Sequence, residues 1–576
     1  MYIRKITRKK DGKIHAYWAL VESHRTVRGP RQRIVSYLGE LDAEGRLGVQ
    51  MAVEGRREYQ GDLFEEIEPE WVEVNIHGVR SERVREFGDI WLALELIKRL
   101  GLDVFFRQVM PCRREEVSWA DLACVLIIAR FCNPSSELYI AEHYYGHTAL
   151  VDLLGIAEDK IHVNRLYRAL DKLLPHKERL EVHLKKRYGE LFKIEYDLLL
   201  YDVTSTYFEG EALGNPQAKR GYSRDKRPDC KQVCIALVVT REGIPLGYEV
   251  FDGNRRDVTT VKEIVTKMES RYGAADRIWV MDRGMISEEN LAFLKQDHRR
   301  YIIGTPRSEL KKFERQLLSE DWQAIREDLE IQYCSSPQGE EETFILCRSV
   351  NRKEKERAII ERYIQNIEAG LDQLKTACQE GRLKKLSVVE RRIGKLLQRN
   401  TRAAGLFDIQ VISDDKNYLS INYQRRQERM DWNQLTRGCY LLRSNIRDWG
   451  AEDLWKAYIH LTDAEAAFRI HKSDLVLRPI WHQKEKRVQA HILVCFLAYV
   501  LWKCLAQMCK SSGLGNEPRK VIDELRRIKL TDVILPTRNG IEIRLQCVTN
   551  PDAHQRILLH HLRLNMPKRL TQNHKM

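Results

Sequence analysis

No Cys-x-x-Cys pair occurs anywhere in the chain, which removes the usual opening of a structural zinc site. The 13 cysteines are an odd number, and the two close pairs, Cys230 with Cys234 and Cys504 with Cys509, have no matching second pair or nearby histidine set. Reduced, mostly packed thiols are the reading that follows, and with them a cytoplasmic setting. The first residues, MYIRKITRKKDGK, contain no apolar stretch, so no signal peptide is expected. A membrane span is not expected either. The longest apolar run, Ile492 to Trp502, is about half the ~20 residues a bilayer requires, and His491 and Lys503 bound it. It reads as a buried core helix.

What is present is size and positive charge. A chain of 576 residues with 43% hydrophobic content can bury several cores, roughly three or four domains. The 97 basic residues outnumber the 83 acidic ones for a net charge of +14, spread along the chain rather than gathered in a tail. A polyanion such as nucleic acid suits that balance.

Changes of hydrophobic period divide the chain. Residues 1–60 alternate short β-prone runs with charged turns, as in a small β-rich module. Residues 61–192 read as helical: Ser118 stands three before Asp121 and opens the run LACVLIIARF, and Asn133 and Pro134 stop it. In VNRLYRALDKLL, residues Leu166, Tyr167, Leu170, Leu173 and Leu174 share one face. Arg165, Arg168 and Lys172 then point outward, as in a DNA-reading helix or in a plain solvated one. Over 193–305 the order is β-β-β-α-β-α-β, a mixed sheet. In it LLLYDVTSTYFEG is expected to be a buried strand ending in Asp202, and RIWVMDRG one ending in Asp282. Between 306 and 445 the sheet pattern is interrupted by an insertion. Ile360, Ile364, Ile367, Leu371, Leu374 and Cys378 answer Leu386, Val389, Ile393 and Leu396 as a helical hairpin, followed by a β segment. Residues 446–512 return to the core with a helix from about Ala451, and 513–576 form a small α+β tail with a hairpin at Asn539 and Gly540.

Three carboxylates stand out. Asp202 and Asp282 are expected at strand ends, where α/β sheets build sites. In AYIHLTDAEAAFRIHKSD, Tyr458, Glu465 and Lys472 recur every seven residues and so return to within roughly 20° of one another on a helix. Leu461 and Phe468 flank that stripe and mark it as facing protein, whereas Asp463 lies about 160° round, toward water. If the two strands are adjacent and the Glu465 helix lies over them, the three converge. Such carboxylates raise one another's pKa unless a cation intervenes. Oxygen ligands without His or Cys select Mg2+ or Mn2+, and two such ions, about 3.5–4 Å apart, serve phosphodiester transfer. Lys472 would then face a phosphate and Tyr458 the same backbone. His482 and His491 have no third ligand near them in sequence and are assigned to structure or phosphate contact.

The chain resembles the bacterial insertion-sequence transposases of the DDE class. Their signature Tyr-(2)-Arg-(3)-Glu-(6)-Lys is met by Tyr458, Glu465 and Lys472, with Leu461 in place of the Arg. GYSRDKRPDCKQV, FDGNRRD, MDRGM, EAAFRIHKSDLVLRPIWH, LYRALDKL and RQRIVSYLGEL also resemble one large subgroup of that class. The resemblance implies an RNase H-like mixed-sheet core, with the large insertion before the Glu-bearing helix; the β-rich module and the helical, candidate DNA-binding region precede it. It implies that Asp202, Asp282 and Glu465 bind two Mg2+ ions, Mn2+ substituting, and cut and rejoin double-stranded DNA at terminal inverted repeats. A dimer in the synaptic complex and a target DNA are the implied partners. Arg469, one turn beyond Glu465, is the candidate to replace in part the phosphate contact that Leu461 cannot make. In related hairpin-forming transposases an aromatic residue of the insertion stacks a flipped base; Trp432 is the candidate here, with a packed core Trp as the alternative. The competing function is a transposase-derived protein that binds DNA without cutting it. A junction resolvase would need neither the helical region nor the insertion, and an aspartyl phosphotransferase would want a second Asp where Thr204 stands.

Overall fold

Alternating β-prone and charged residues over the first 39 positions form a three-stranded antiparallel sheet, Tyr2–Lys10, Lys13–Thr26 and Gly29–Gly39. The computed structural model describes residues 2–10, 13–26, 29–39 and 72–575, apart from 195, 274–276, 338, 340, 414–418 and 571–573. The β-rich module expected over 1–60 therefore lies outside the described residues from position 40 onward. The chain divides into two compact units, one of Met1–Arg277 with His460–Met576 and one of Ile278–Ile459.

The first unit is organised by two helices that are apolar on almost every side. Trp119–Cys132 begins at Ser118, whose hydroxyl accepts the N–H of Ala120 at 3.2 Å, and ends at Asn133. It packs against Glu485–Ser511, Gly88–Arg99 and Val163–Leu173. A helix without a polar face must be enclosed, and Glu485–Ser511 is enclosed through its middle. Its length and composition would suit a membrane, yet its apolar surface is spent on this core, where each fully buried large aliphatic side chain contributes about 1.5–3 kcal/mol.

Beside these helices Leu198–Tyr207, Gln232–Thr240 and Pro245–Asp252 form an antiparallel meander in which Asp202 lies opposite Leu237. The turn after Thr240 closes on Gly243, whose φ of 72° favours glycine. The first strand does not end at Asp202 as expected. Val203, Thr204 and Thr206 are β-branched and buried, so pairing continues to Tyr207 and leaves Asp202 in mid-strand. The tail is also less separate than its sequence suggested: Lys529–Pro536 pairs with both Glu542–Val548 and Arg80–Glu86. Arg85 anchors that sheet, buried between Asp152, at 2.9 Å, and Asp532.

In the second unit Ile278–Met281 and Arg300–Gly304 are parallel strands connected through the helix Glu288–Lys295. The sheet then continues antiparallel through Cys439–Ser444, Thr343–Ser349, Leu329–Ser335 and Gln323–Arg326. Much of the insertion thus extends the sheet rather than interrupting it. The expected helical hairpin is present as Val350–Gln379 and Leu386–Arg399. With the β-hairpin Phe407–Ser413 and Leu419–Arg425 it builds a core of its own around Ile360, Ile364, Ile367, Leu371, Val389 and Ile393.

Candidate active site

Asp202 is half-buried, and its Oδ1 accepts the N–H of Val203 at 2.8 Å. The helix Leu461–Arg469 packs on the strand that carries it and on Gln232–Thr240. Leu461, Ala464, Ala467 and Phe468 form the buried face, with two alanines that let helix and sheet approach closely. Leu461 and Phe468 are buried as expected, but Glu465 is exposed. Asp463, expected in open water, is held by the His460 ring at 3.4 Å, with 41% of its side chain exposed.

The seven-residue stripe does not run through one regular helix. Ala451–Ile459 and Leu461–Arg469 are separate helices, and the second passes into a π-helical turn, Ile470–Asp474, closed by the Leu475 N–H on the Ile470 carbonyl at 3.0 Å. A π turn takes one extra residue, so Lys472 is set back from the line drawn through Glu465 at the α-helical pitch. Its ammonium donates to Asp225 Oδ1 at 2.9 Å, and the Arg478 guanidinium donates to the same oxygen. Only 3% of the Asp225 side chain is exposed, and among the described residues its Oδ2 has no hydrogen-bond partner. Burial lowers the Lys472 pKa from its ordinary value, against the pull of Asp225.

Arg224, next in the chain, donates its backbone N–H to Ser205 Oγ at 3.3 Å and its guanidinium to Asp257. Burial opposes its charge, yet Asp257 and the nearby Asp202 hold its pKa above the ordinary value. Sequence alone does not single out Arg224 and Asp225. Their only signal is the GYSRDKRPD segment, in which a charge of each sign stands side by side. Arg469 is exposed at the end of its helix.

In the second unit Asp282 directly follows the strand Ile278–Met281, as expected, and is exposed. The Tyr458 hydroxyl donates to its Oδ1 at 3.4 Å. Burial, and then the Asp282 charge, push the Tyr458 pKa above its ordinary value. Position 304 must be glycine for this contact, because a Cβ there would lie 2.4 Å from the Tyr458 hydroxyl. Trp432, on the helix Gln427–Leu435, packs half-buried against the cluster of Leu310, Phe313, Leu317, Phe344 and Leu441. That leaves only part of its ring for a base to stack on.

The candidate carboxylates are divided between the units, Asp202 and Glu465 in the first and Asp282 in the second; carboxylate oxygens are ligands that suit Mg2+ or Mn2+ rather than zinc.

The family described as "Transposase DDE domain" matches residues 193–501, and "IS1634 family transposase, N-terminal domain" matches residues 3–61. Among solved structures, the cryo-EM structure of a piggyBac transposase synaptic complex with hairpin DNA aligns with 79% of this chain and 82% of that one, at 9% identity and a TM-score of 0.35. No curated protein matches the chain. The DDE match covers more than half of the 576 residues and DDE transposase domains generally use divalent metal ions, so the chain, which pairs that domain with an IS1634-type N-terminal domain, belongs to the insertion-sequence DDE transposases.

Proposed function

We propose that this transposase cuts and rejoins double-stranded DNA at the terminal inverted repeats of its element, with Asp202, Asp282 and Glu465 as the metal-binding carboxylates of an RNase H-like core. The observation that carries the reading is that the DDE match runs from 193 to 501 and takes in all three carboxylates. Their all-oxygen donor set supports a pair of Mg2+ ions, with Mn2+ able to substitute. When bound, such a pair activates a water or a 3′-hydroxyl and stabilises the leaving oxygen.

The remaining roles belong to the chain's own residues. Asp202 is fixed in mid-strand by its bond to the Val203 N–H, and Glu465 is presented by a helix packed on that strand. Tyr458 orients Asp282 through its hydroxyl. Arg469 is open to a DNA phosphate, and Lys472 reaches one by exchanging Asp225 for it. Trp432 contributes stacking through the exposed part of its ring. The helical region and the N-terminal module grip the end sequence, two chains assemble on paired ends, and the reaction takes place in the cytoplasm on nucleoid DNA.

A labelled duplex carrying the element's end, incubated with and without Mg2+, tests this reading. Nicking that requires the metal and disappears in Asp202→Ala supports it. Tight end binding with no cleavage by either protein would instead make the chain a transposase-derived DNA-binding protein.

A further inference from the structure

The two histidines left without a third partner in sequence have one in the fold. Glu137, 345 residues before His482, opens the short helix Glu137–Tyr139 after Ser136, whose hydroxyl accepts the Tyr139 N–H. His482 lies just beyond the bridge that joins Ile480 to Phe208, and His491 sits in the second turn of Glu485–Ser511. Each of the three offers one ligand atom, and these atoms all lie within 4.8 Å of one another. The group is interior: relative exposure is 5% for Glu137 and 6% for His491, and 10% for the His482 side chain.

We propose that Glu137, His482 and His491 bind a borderline transition metal, best matched by Zn2+, and that this ion fastens the helical region to the C-terminal segment of the first unit. Two imidazoles and a carboxylate form a familiar zinc donor set, with ligand bonds of about 2.0–2.2 Å. Two such ligands on a tetrahedral ion stand about 3.3–3.4 Å apart, and His482 Nε2 is 3.3 Å from Glu137 Oε1. That is long for a charge-assisted hydrogen bond, which closes to about 2.7–2.9 Å. Cys495 Sγ lies one turn along the helix, 3.9 Å from His491 Nε2, but is not among the three mutually close ligand atoms, so the fourth position of a tetrahedral ion would fall to a water.

The polar surroundings of His491 leave room for this role. Its Nδ1 is 3.5 Å from Arg130 and its Nε2 is 3.4 Å from the Leu477 carbonyl, so neither nitrogen makes a close hydrogen bond. Arg130 has acceptors of its own in the carbonyls of Ser135, at 3.2 Å, and Val476, at 3.3 Å. The Glu137 carboxylate would offset part of the charge that Arg130 and the ion bring together. This set shares no residue with Asp202, Asp282 and Glu465, so it stands whether or not those three are the catalytic ligands.

The test is metal analysis of the full-length protein after gel filtration in buffer with Mg2+. About one zinc per chain is expected, absent from Glu137→Gln and from His482→Ala. Because a variant could fail to fold, the wild-type protein is also stripped with chelator and titrated with Co2+. The visible bands of a tetrahedral Co2+ site and a rise in melting temperature on adding Zn2+ are expected there, and Glu137→Gln should show neither. Wild-type protein that holds no transition metal and gives no Co2+ bands would make the cluster a metal-free polar contact. Zinc retained equally by both variants would place the ion elsewhere and also overturn the proposal.

Discussion

Asp225 holds two cations on one oxygen, and its replacement by Asn should be costly in a way that depends on pH. In Asp225→Asn the Lys472 ammonium, with 10% of its side chain exposed, loses its carboxylate and stays inside the protein. Arg478 is 32% exposed and can turn toward water, so its share is largely screened. Breaking a buried pair by removing one partner costs about 3–5 kcal/mol, and the lower end is expected here because Arg478 can relax. Lys472 already has a pKa below 10.5 through burial, and losing Asp225 removes the contact that supports its charge. The folded variant therefore gives up this proton at lower pH than the unfolded chain does. Between the depressed folded pKa and 10.5 the unfolded state binds more protons, so stability rises with pH and the deficit against wild type shrinks. Urea unfolding of both proteins, followed by tryptophan fluorescence from about pH 7 to about pH 10, measures it. A deficit below about 1 kcal/mol at neutral pH, or one that stays flat as pH rises, would refute the reasoning.

Other substitutions separate the parts of the molecule. Gly304→Ala forces the Tyr458 hydroxyl away from Asp282 and should cost about 1–3 kcal/mol; ultraviolet titration should find the Tyr458 phenol moved back toward its ordinary pKa, and an unmoved titration would count against the contact. Asp532→Asn leaves Arg85 with Asp152 alone and should cost about 3 kcal/mol, seen as faster amide exchange along Arg80–Glu86 and Lys529–Pro536. Leu371→Ala empties a fully buried site of the helical hairpin and should cost about 2–5 kcal/mol, with exchange quickened in that core and unchanged in Leu198–Tyr207.

Wherever burial followed a regular period, the sequence was a sound guide. Ile360, Ile364, Ile367 and Leu371 lie in a hairpin core as their spacing requires, and the apolar run from Ile492 is a core helix. The strand leading to Asp282 ends where its composition changes. Reading failed where a local rule met a non-local one. Asp202 looked like a strand end because a charge breaks the apolar run, but pairing with Gln232–Thr240 carries the strand past it. The stripe through Tyr458, Glu465 and Lys472 assumed a constant pitch, which a helix break and a π-turn interrupt. Arg80–Glu86 has almost no apolar residue to announce a strand and owes its state to Lys529–Pro536, far away in sequence. Glu137 could not be joined to His482 and His491 before the fold brought them together.

Glu465 and Asp463 stand two residues apart on one helix, and only Glu465 is a proposed metal ligand. Mg2+-dependent nicking of an element-end duplex by Glu465→Gln and by Asp463→Asn is compared with wild type, with end binding measured in parallel. Glu465→Gln should lose at least about 10³-fold in nicking while binding is retained, and Asp463→Asn should stay within about threefold. Nicking by Glu465→Gln at the wild-type rate, or a loss confined to Asp463→Asn, would contradict that assignment.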